Sequence, residues 1–385
     1  MQNVPLYNRI EKALSQRESS HRLRVIPSFK NAAGNIDLST NSYLNLQAER
    51  SISEEAAKLA EARLHGNLSS RLISEQSGLF TELENEIISW KRCESVLLYN
   101  SGYCANLGIL QAVCARDTEV FCDRLNHASI YDGIALAGCK LIRYSHCDMA
   151  DLEKRLSASS AKEKLIVTDT VFSMDGDRAP LADICSLARK YNCMVMVDEA
   201  HAVGIFGKEG RGLADETGVS GEIDIIVGTL SKAVAGLGGY FAGSSRLREF
   251  FVNFSRSLIY STSLPQNVLA FDLAAIRHIR KNSGLGEKLL HKAAAFRDCL
   301  QKIGFSTLNS STQIVPCMLG DDNAALDLCR FFHSRKISAP AVRPPTVPDS
   351  TARIRFSIHL GIEDDQMDYI LNQLAQWKKQ NGFLS

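Results

Sequence analysis

The feature that most constrains this chain is a series of short, apolar, β-branched segments separated by stretches with helical periodicity. The segments are SVLLY (95–99), EVFCD (119–123), KLIRY (140–144), KLIVTD (164–169), MVMVDEA (194–200) and DIIVGTL (224–230). Each is too short for a helix, nearly continuous in apolar character, and most end on Asp, Thr, Ser or Gly. Strands buried on both faces of a parallel sheet have this pattern, and the intervening stretches are long enough for crossover helices. An α/β domain over 46–275 follows, with an N-terminal helix and arm over 1–45 before it. Helical spacing is also present after Pro5, over 50–65 and over 79–91. Past residue 275 the pattern changes to a long helix (286–304), short strands QIVPCML (313–319) and ARIRFSI (352–358), and a closing helix (363–380), which predicts a smaller α+β domain over 276–385.

Composition excludes several classes. Lys plus Arg number 44 against 43 Asp plus Glu, a net charge of +1, so no basic surplus exists to neutralise a nucleic-acid backbone. The segment from Met1 to Arg24 is polar and carries both charge signs, which is no signal peptide. No apolar run approaches the roughly 20 residues needed to span a bilayer. Eleven cysteines form no C-x-x-C pair and their number is odd, so free buried thiols in a reducing cytoplasm are expected, with neither a metal site nor a disulfide framework.

In an open α/β sheet, ligands bind beyond the carboxyl ends of the strands. Four strand ends carry chemistry: Asp198 and His201 after MVMV, Ser173 and Asp175 after KLIVTD, Thr229, Ser231 and Lys232 after DIIVG, and Ser101, Gly102 and Tyr103 after SVLLY. A lysine leaving a strand end into a confined site is desolvated, which lowers its pKa and makes it a Schiff-base nucleophile. Thr229 and Ser231 beside it suit a phosphate. The following GLGG lacks the G-x-G-x-x-G spacing of a nicotinamide-dinucleotide fold. A carboxylate at 198 requires a partner when buried, and a cationic ring nitrogen is one such partner, a helix cap being the alternative. His127, in DRLNHAS, follows another strand end and could lie over an aromatic ring.

Together these residues resemble the α-oxoamine synthase family of fold-type I pyridoxal-phosphate enzymes. The resemblance covers nearly the whole chain through N-S-Y-L (41–44), S-S-R-L-I-S (69–74), Y-N-S-G-Y (99–103), D-R-L-N-H-A-S (123–129), V-F-S-M-D-G-D (171–177), V-D-E-A-H-A-V-G (197–204), G-T-L-S-K (228–232), I-Y-S-T-S-L-P (259–265) and R-P-P-T-V-P (343–348). It implies a mainly parallel large domain, pyridoxal 5'-phosphate as cofactor, and a homodimer. By motif, Lys232 would carry the cofactor as a Schiff base and then act as a base. Asp198 would pair with the ring nitrogen, His201 and Ser173 would bond the ring-oxygen region, and His127 would stack on the ring and meet substrate. Gly102, Tyr103 and Thr229 would hold the phosphate, joined by Ser261 and Thr262 from the neighbouring subunit. Arg355 would bind the amino-acid carboxylate, with Arg24 (or its neighbour Arg22) and Thr346 as further substrate contacts. Arg343 is either an acyl-donor contact or a structural ion pair.

Within the family, L-I-Y-S-T-S-L-P and R-P-P-T-V-P are similar to those of members that join L-alanine to pimeloyl-CoA or pimeloyl-acyl-carrier protein for biotin. A member acting on glycine and acetyl-CoA is the alternative. A catalytically silent scaffold subunit would have lost Lys232 or the Asp198–His201 pair, and both are present. Asn45 stands where the family usually has glycine, Asn67 and Leu68 lie in a loop that is usually glycine-rich, and Asp169 replaces a common glutamate.

Overall fold

The computed structural model describes residues 4–20, 22–24, 26, 34–61, 67–73 and 78–382. After a short strand β1 (Ile36–Asp37), seven strands make one central sheet: β2 (Ser95–Tyr99), β3 (Glu119–Asp123), β4 (Lys140–Tyr144), β5 (Lys164–Asp169), β6 (Met194–Asp198), β7 (Ile225–Thr229) and β8 (Gly239–Gly243). Their order across the sheet is β2-β8-β7-β6-β5-β3-β4, and only β8 runs against its neighbours. The architecture is the expected mainly parallel α/β fold. Alternate residues bury into two apolar layers, Leu98, Phe121, Ile166 and Val197 on one face, Leu97, Val120, Val167 and Met196 on the other. Covering both faces is what made these strands continuously apolar in sequence.

Two expectations need correction. KLIRY is not buried throughout: β4 is the sheet edge, and Lys140, Leu141 and Arg143 are exposed. The glycine-rich stretch after Lys232 contains β8, which the pattern of apolar runs did not reveal. Gly239 is needed there because a Cβ would lie 2.5 Å from the backbone nitrogen of Gly102.

Helices run before and between the strands, and four concern the site or its support: Gly78–Lys91, Gly102–Val113, Ala128–Ala137 and Ser245–Phe254. Toward the C-terminus, β9 (Ile314–Gly320), β11 (Ala341–Val342) and β12 (Ala352–Ser357) form an antiparallel sheet in the order β11-β12-β9. Phe296 and Phe332 pack edge-on against Phe356 beneath it. β10 (Ile337–Ser338) pairs in parallel with β1, and Ser357 N–H donates to Leu38 O at 2.9 Å while Leu360 N–H donates to Tyr43 O at 3.0 Å. These bonds carry the N-S-Y segment to the end of β12, beside Arg355. The closing helix, Asp364–Asn381, begins with a capping box between Glu363 and Gln366. Asn45 adopts φ 57°, in the left-handed region that asparagine tolerates better than most residues, which accounts for its standing in for glycine. Asn67 and Leu68 are among the described residues and the five before them are not.

Candidate active site

The carboxyl ends of β5, β6 and β7 converge on one cavity of about 190 Å³. Gly102, Tyr103, His127, Ser173, Asp198, His201, Thr229 and Lys232 all line it, so eight of the residues singled out in the sequence are brought together. Thr262 is not among them. It is exposed, and its carbonyl accepts a 2.6 Å bond from Asn100, next to the cap of the Gly102–Val113 helix.

At the floor of the cavity, Asp198 accepts from the Asn106 side-chain amide (2.7 Å, on Oδ2) and from Ala200 N–H (2.8 Å, on Oδ1). Asn106 also donates to Ser129 Oγ at 2.9 Å, while its Oδ1 is buried with no partner. Asp169 is the register partner of Asp198 on the adjacent strand and accepts from His127 N–H at 2.8 Å. Burial and then the neighbouring Asp198 push the Asp169 carboxyl well above the usual carboxylate range.

Lys232 Nζ and His201 Nε2 lie 2.9 Å apart, and His201 Nδ1 lies 2.7 Å from Tyr43 Oη. Tyr43 donates to Asn41 Oδ1 at 3.0 Å, and Arg355 donates to both Tyr43 Oη (3.3 Å) and Asn41 Oδ1 (3.2 Å). With the Tyr43 hydrogen on Asn41, the chain of bonds assigns the His201 proton to Nδ1 and leaves Nε2 as an acceptor for the lysine. Burial, reinforced by the charges of Lys232, Arg355 and His127, holds the His201 pKa well below its ordinary value, so the ring is neutral. Burial likewise lowers Lys232 to about 8, with Asp198 and Asp169 pulling the other way.

The anion end is built on the Gly102–Val113 helix. Ser101 caps it by accepting from Cys104 N–H, and the N–H groups of Gly102 and Tyr103 have no protein partner among the described residues. A Cβ at Gly102 would meet Thr229 Cβ at 3.3 Å, so the backbone and the threonine form one cradle. Free N–H groups at a helix start favour an anion. His127 is exposed at the rim, its ring edge-on to Tyr103 at 6.3 Å.

Of the four expected substrate residues, His127 lines this cavity, and Arg24, Thr346 and Arg355 do not. Arg355 is 5% exposed and its guanidinium meets only neutral oxygens: Ser173 O and Ser357 Oγ at 2.5 Å each, besides Asn41 and Tyr43. Arg24 donates to Thr346 Oγ1 at 3.3 Å, whereas Arg22 pairs with Asp349 and Asp322. Arg343 lines neither this cavity nor the one beside it. Sequence reasoning missed Asn106 and the bonding role of Tyr43. Asn106 is one helical turn beyond Gly102, and that spacing is the one clue to it.

All eleven cysteines are free, and only Cys114, Cys122, Cys185 and Cys317 are fully buried. No described helix is long and apolar enough to cross a membrane.

Residues 33–374 match the model of the aminotransferase class I and II family. An 8-amino-7-oxononanoate synthase of Geobacter sulfurreducens is 41% identical over 350 residues, 90% of each chain. A serine palmitoyltransferase from S. paucimobilis with bound PLP–myriocin aldimine superposes with a TM-score of 0.91 at 27% identity over the full length of both chains. An 8-amino-7-oxononanoate synthase of Francisella tularensis gives a TM-score of 0.79 at 25% identity, over 91% of this chain and 99% of that one.

Proposed function

The chain belongs to the class I and II aminotransferase family, and from that premise we propose that it condenses L-alanine with a pimeloyl thioester, releasing carbon dioxide and a thiol. That is the reaction forming 8-amino-7-oxononanoate on the way to biotin. The carrier is either CoA or acyl-carrier protein. The observation that carries the reading is the placement of the Lys232 amine, lowered to about 8, in one cavity with the Asp198 carboxylate and the unpartnered N–H groups of Gly102 and Tyr103.

The residues present fit pyridoxal 5'-phosphate. Gly102, Tyr103 and Thr229 would take the phosphate, Asp198 the ring nitrogen, Ser173 and His201 the ring-oxygen side, and Lys232 the aldehyde carbon, with His127 over the ring. Asn106 Oδ1, buried and unpaired, adds a polar atom facing the same region. When bound, this cofactor is an electron sink for the charge left at the amino acid's α-carbon.

The chain's own residues do the rest. Arg355 has no carboxylate partner among the described residues and donates only to neutral oxygens, so it would exchange some of these for the α-carboxylate of alanine and fix the α-carbon near Lys232. Lys232 Nζ removes the α-proton, and the carbon then attacks the thioester carbonyl while the thiol leaves. After loss of carbon dioxide, Lys232 Nζ returns a proton to the same carbon. Burial favours the unprotonated amine, and His201 Nε2, 2.9 Å away, accepts from it and aims it. Arg24 and Thr346, already joined, would contact the acyl donor.

We further propose a homodimer in which Ser261 and Thr262 of each chain complete the other's phosphate site, since neither lines its own cavity. Eleven unpaired thiols support the cytoplasm as its location.

Thiol release by the cofactor-loaded chain tests the reading. L-alanine with pimeloyl-CoA is expected to release thiol. Release with glycine and acetyl-CoA instead would keep the chemistry and overturn the substrate.

A further inference from the structure

A second cavity, of about 310 Å³, adjoins the first. Consecutive residues face the two: His127 and Ser173 line the catalytic cavity, while Asn126, Phe172 and Met174 line the second, so the two share a wall. Apolar side chains of Leu125, Phe172, Met174, Leu308, Met318 and Val347 make most of its remaining lining.

The charged groups there are neutralised in place, with one exception. His146 bridges Asp123 (Nδ1 to Oδ1, 3.0 Å) and Asp177 (Nε2 to Oδ2, 2.7 Å). Arg353 forms an ion pair with Asp175. Arg124 lines the cavity from an exposed position, and its side chain has no hydrogen bond or ion pair among the described residues. An apolar cavity with an unpaired guanidinium in its lining suits a chain of methylene groups ending in an anion. An acyl chain that ends in a methyl group would forgo the charge-assisted pairing that a terminal carboxylate makes with that guanidinium.

Resting on the function proposed above, we infer that this cavity receives the far end of the acyl chain and that Arg124 binds a terminal carboxylate there, selecting thioesters of dicarboxylic over monocarboxylic acids. Arg24, bonded to Thr346 of the lining, would meet the part of the donor common to both. Arg124 is thus a specificity-determining residue and takes no part in the bond-making steps.

The test compares pimeloyl-CoA with heptanoyl-CoA, equal in chain length but without the second carboxylate, using cofactor-loaded full-length chain, L-alanine and thiol release. The unmodified chain should favour pimeloyl-CoA in kcat/KM. In Arg124→Gln that preference should fall by about tenfold or more, chiefly through KM for pimeloyl-CoA, as expected for one charge-assisted hydrogen bond, and Arg124→Lys should recover part of it. Visible absorbance of the bound cofactor, unchanged in both variants, checks that they are folded. An undiminished preference in Arg124→Gln overturns the inference, as does a collapse of the preference in Arg24→Gln alone. Equal use of both donors by the unmodified chain overturns it while leaving the condensation intact. No thiol release with either donor overturns the function itself.

Discussion

Lys232 Nζ sits 2.9 Å from Nε2 of His201, a ring that Tyr43 holds from its other side. The imidazole's proton faces Tyr43, so the lysine meets an acceptor and is not confronted with a second cation. Three segments far apart in sequence meet at this contact, from the N-S-Y stretch, the end of β6 and the end of β7.

Replacing Lys232 with alanine should reduce thiol release at least about a thousandfold, since both the covalent anchor and the proton carrier are lost. Steady-state thiol assays measure this. The same variant should lack the visible absorbance that the unmodified chain acquires on loading, while keeping its fold.

The lowered Lys232 pKa also has consequences for stability. In the folded apoprotein the amine titrates near 8, against 10.5 for an ordinary lysine. Below pH 8 both states carry the proton, and the cost of a buried ammonium is fully present. From 8 to 10.5 the unfolded chain binds more protons, so this contribution makes stability rise with pH. Lys232→Met apoprotein should therefore be more stable than the unmodified apoprotein by roughly 3 kcal/mol at pH 7, the gap closing toward pH 10. Urea unfolding at the two pH values measures it.

Asp198→Asn should lower kcat at least about a hundredfold, because a neutral amide no longer stabilises positive charge on a ring nitrogen. Asn106→Ala, which removes one of the two donors to Asp198, should have a smaller effect, about tenfold, with a shifted cofactor absorbance band. Equal losses in both variants would point to a folding defect.

Arg355→Gln should raise KM for L-alanine about a hundredfold or more, with the cofactor still bound. Lysine at this position should recover little, because a point charge cannot reproduce the fork that reaches Ser173, Ser357, Asn41 and Tyr43. Titration of the loaded protein with L-alanine, followed by absorbance, separates this binding loss from any loss in rate.

Next to Asp198, Glu199 is fully buried and ion-paired with Lys91, itself 4% exposed. Glu199 also accepts from Ala214 N–H at 2.9 Å. Lys91→Met strands a buried carboxylate and should cost about 3–5 kcal/mol in urea unfolding, whereas adding Glu199→Leu should restore much of that loss.

Much of this was legible in sequence, for a physical reason. β2, β3 and β5 to β7 lie between helical layers, so their strings of apolar residues and polar C-terminal ends were visible. β4 was found but misjudged, because an edge strand can keep β-branched character while facing solvent. β8 escaped because glycines bracket its three apolar residues, and it owes that glycine to its contact with Gly102. Site residues at strand ends announced themselves by breaking an apolar run. Asn106 interrupts a helix interior, and Tyr43 lies in an irregular loop, so neither had a period to violate. Only the fold brings the first under Asp198 and the second against His201.

The most direct test of the central claim uses L-alanine labelled with carbon-13 in its carboxyl group, together with pimeloyl-CoA. Labelled carbon dioxide should appear in step with free thiol, one for one, and the product should have the mass of 8-amino-7-oxononanoate. Thiol release without labelled carbon dioxide, or a product retaining the carboxyl label, would contradict the account.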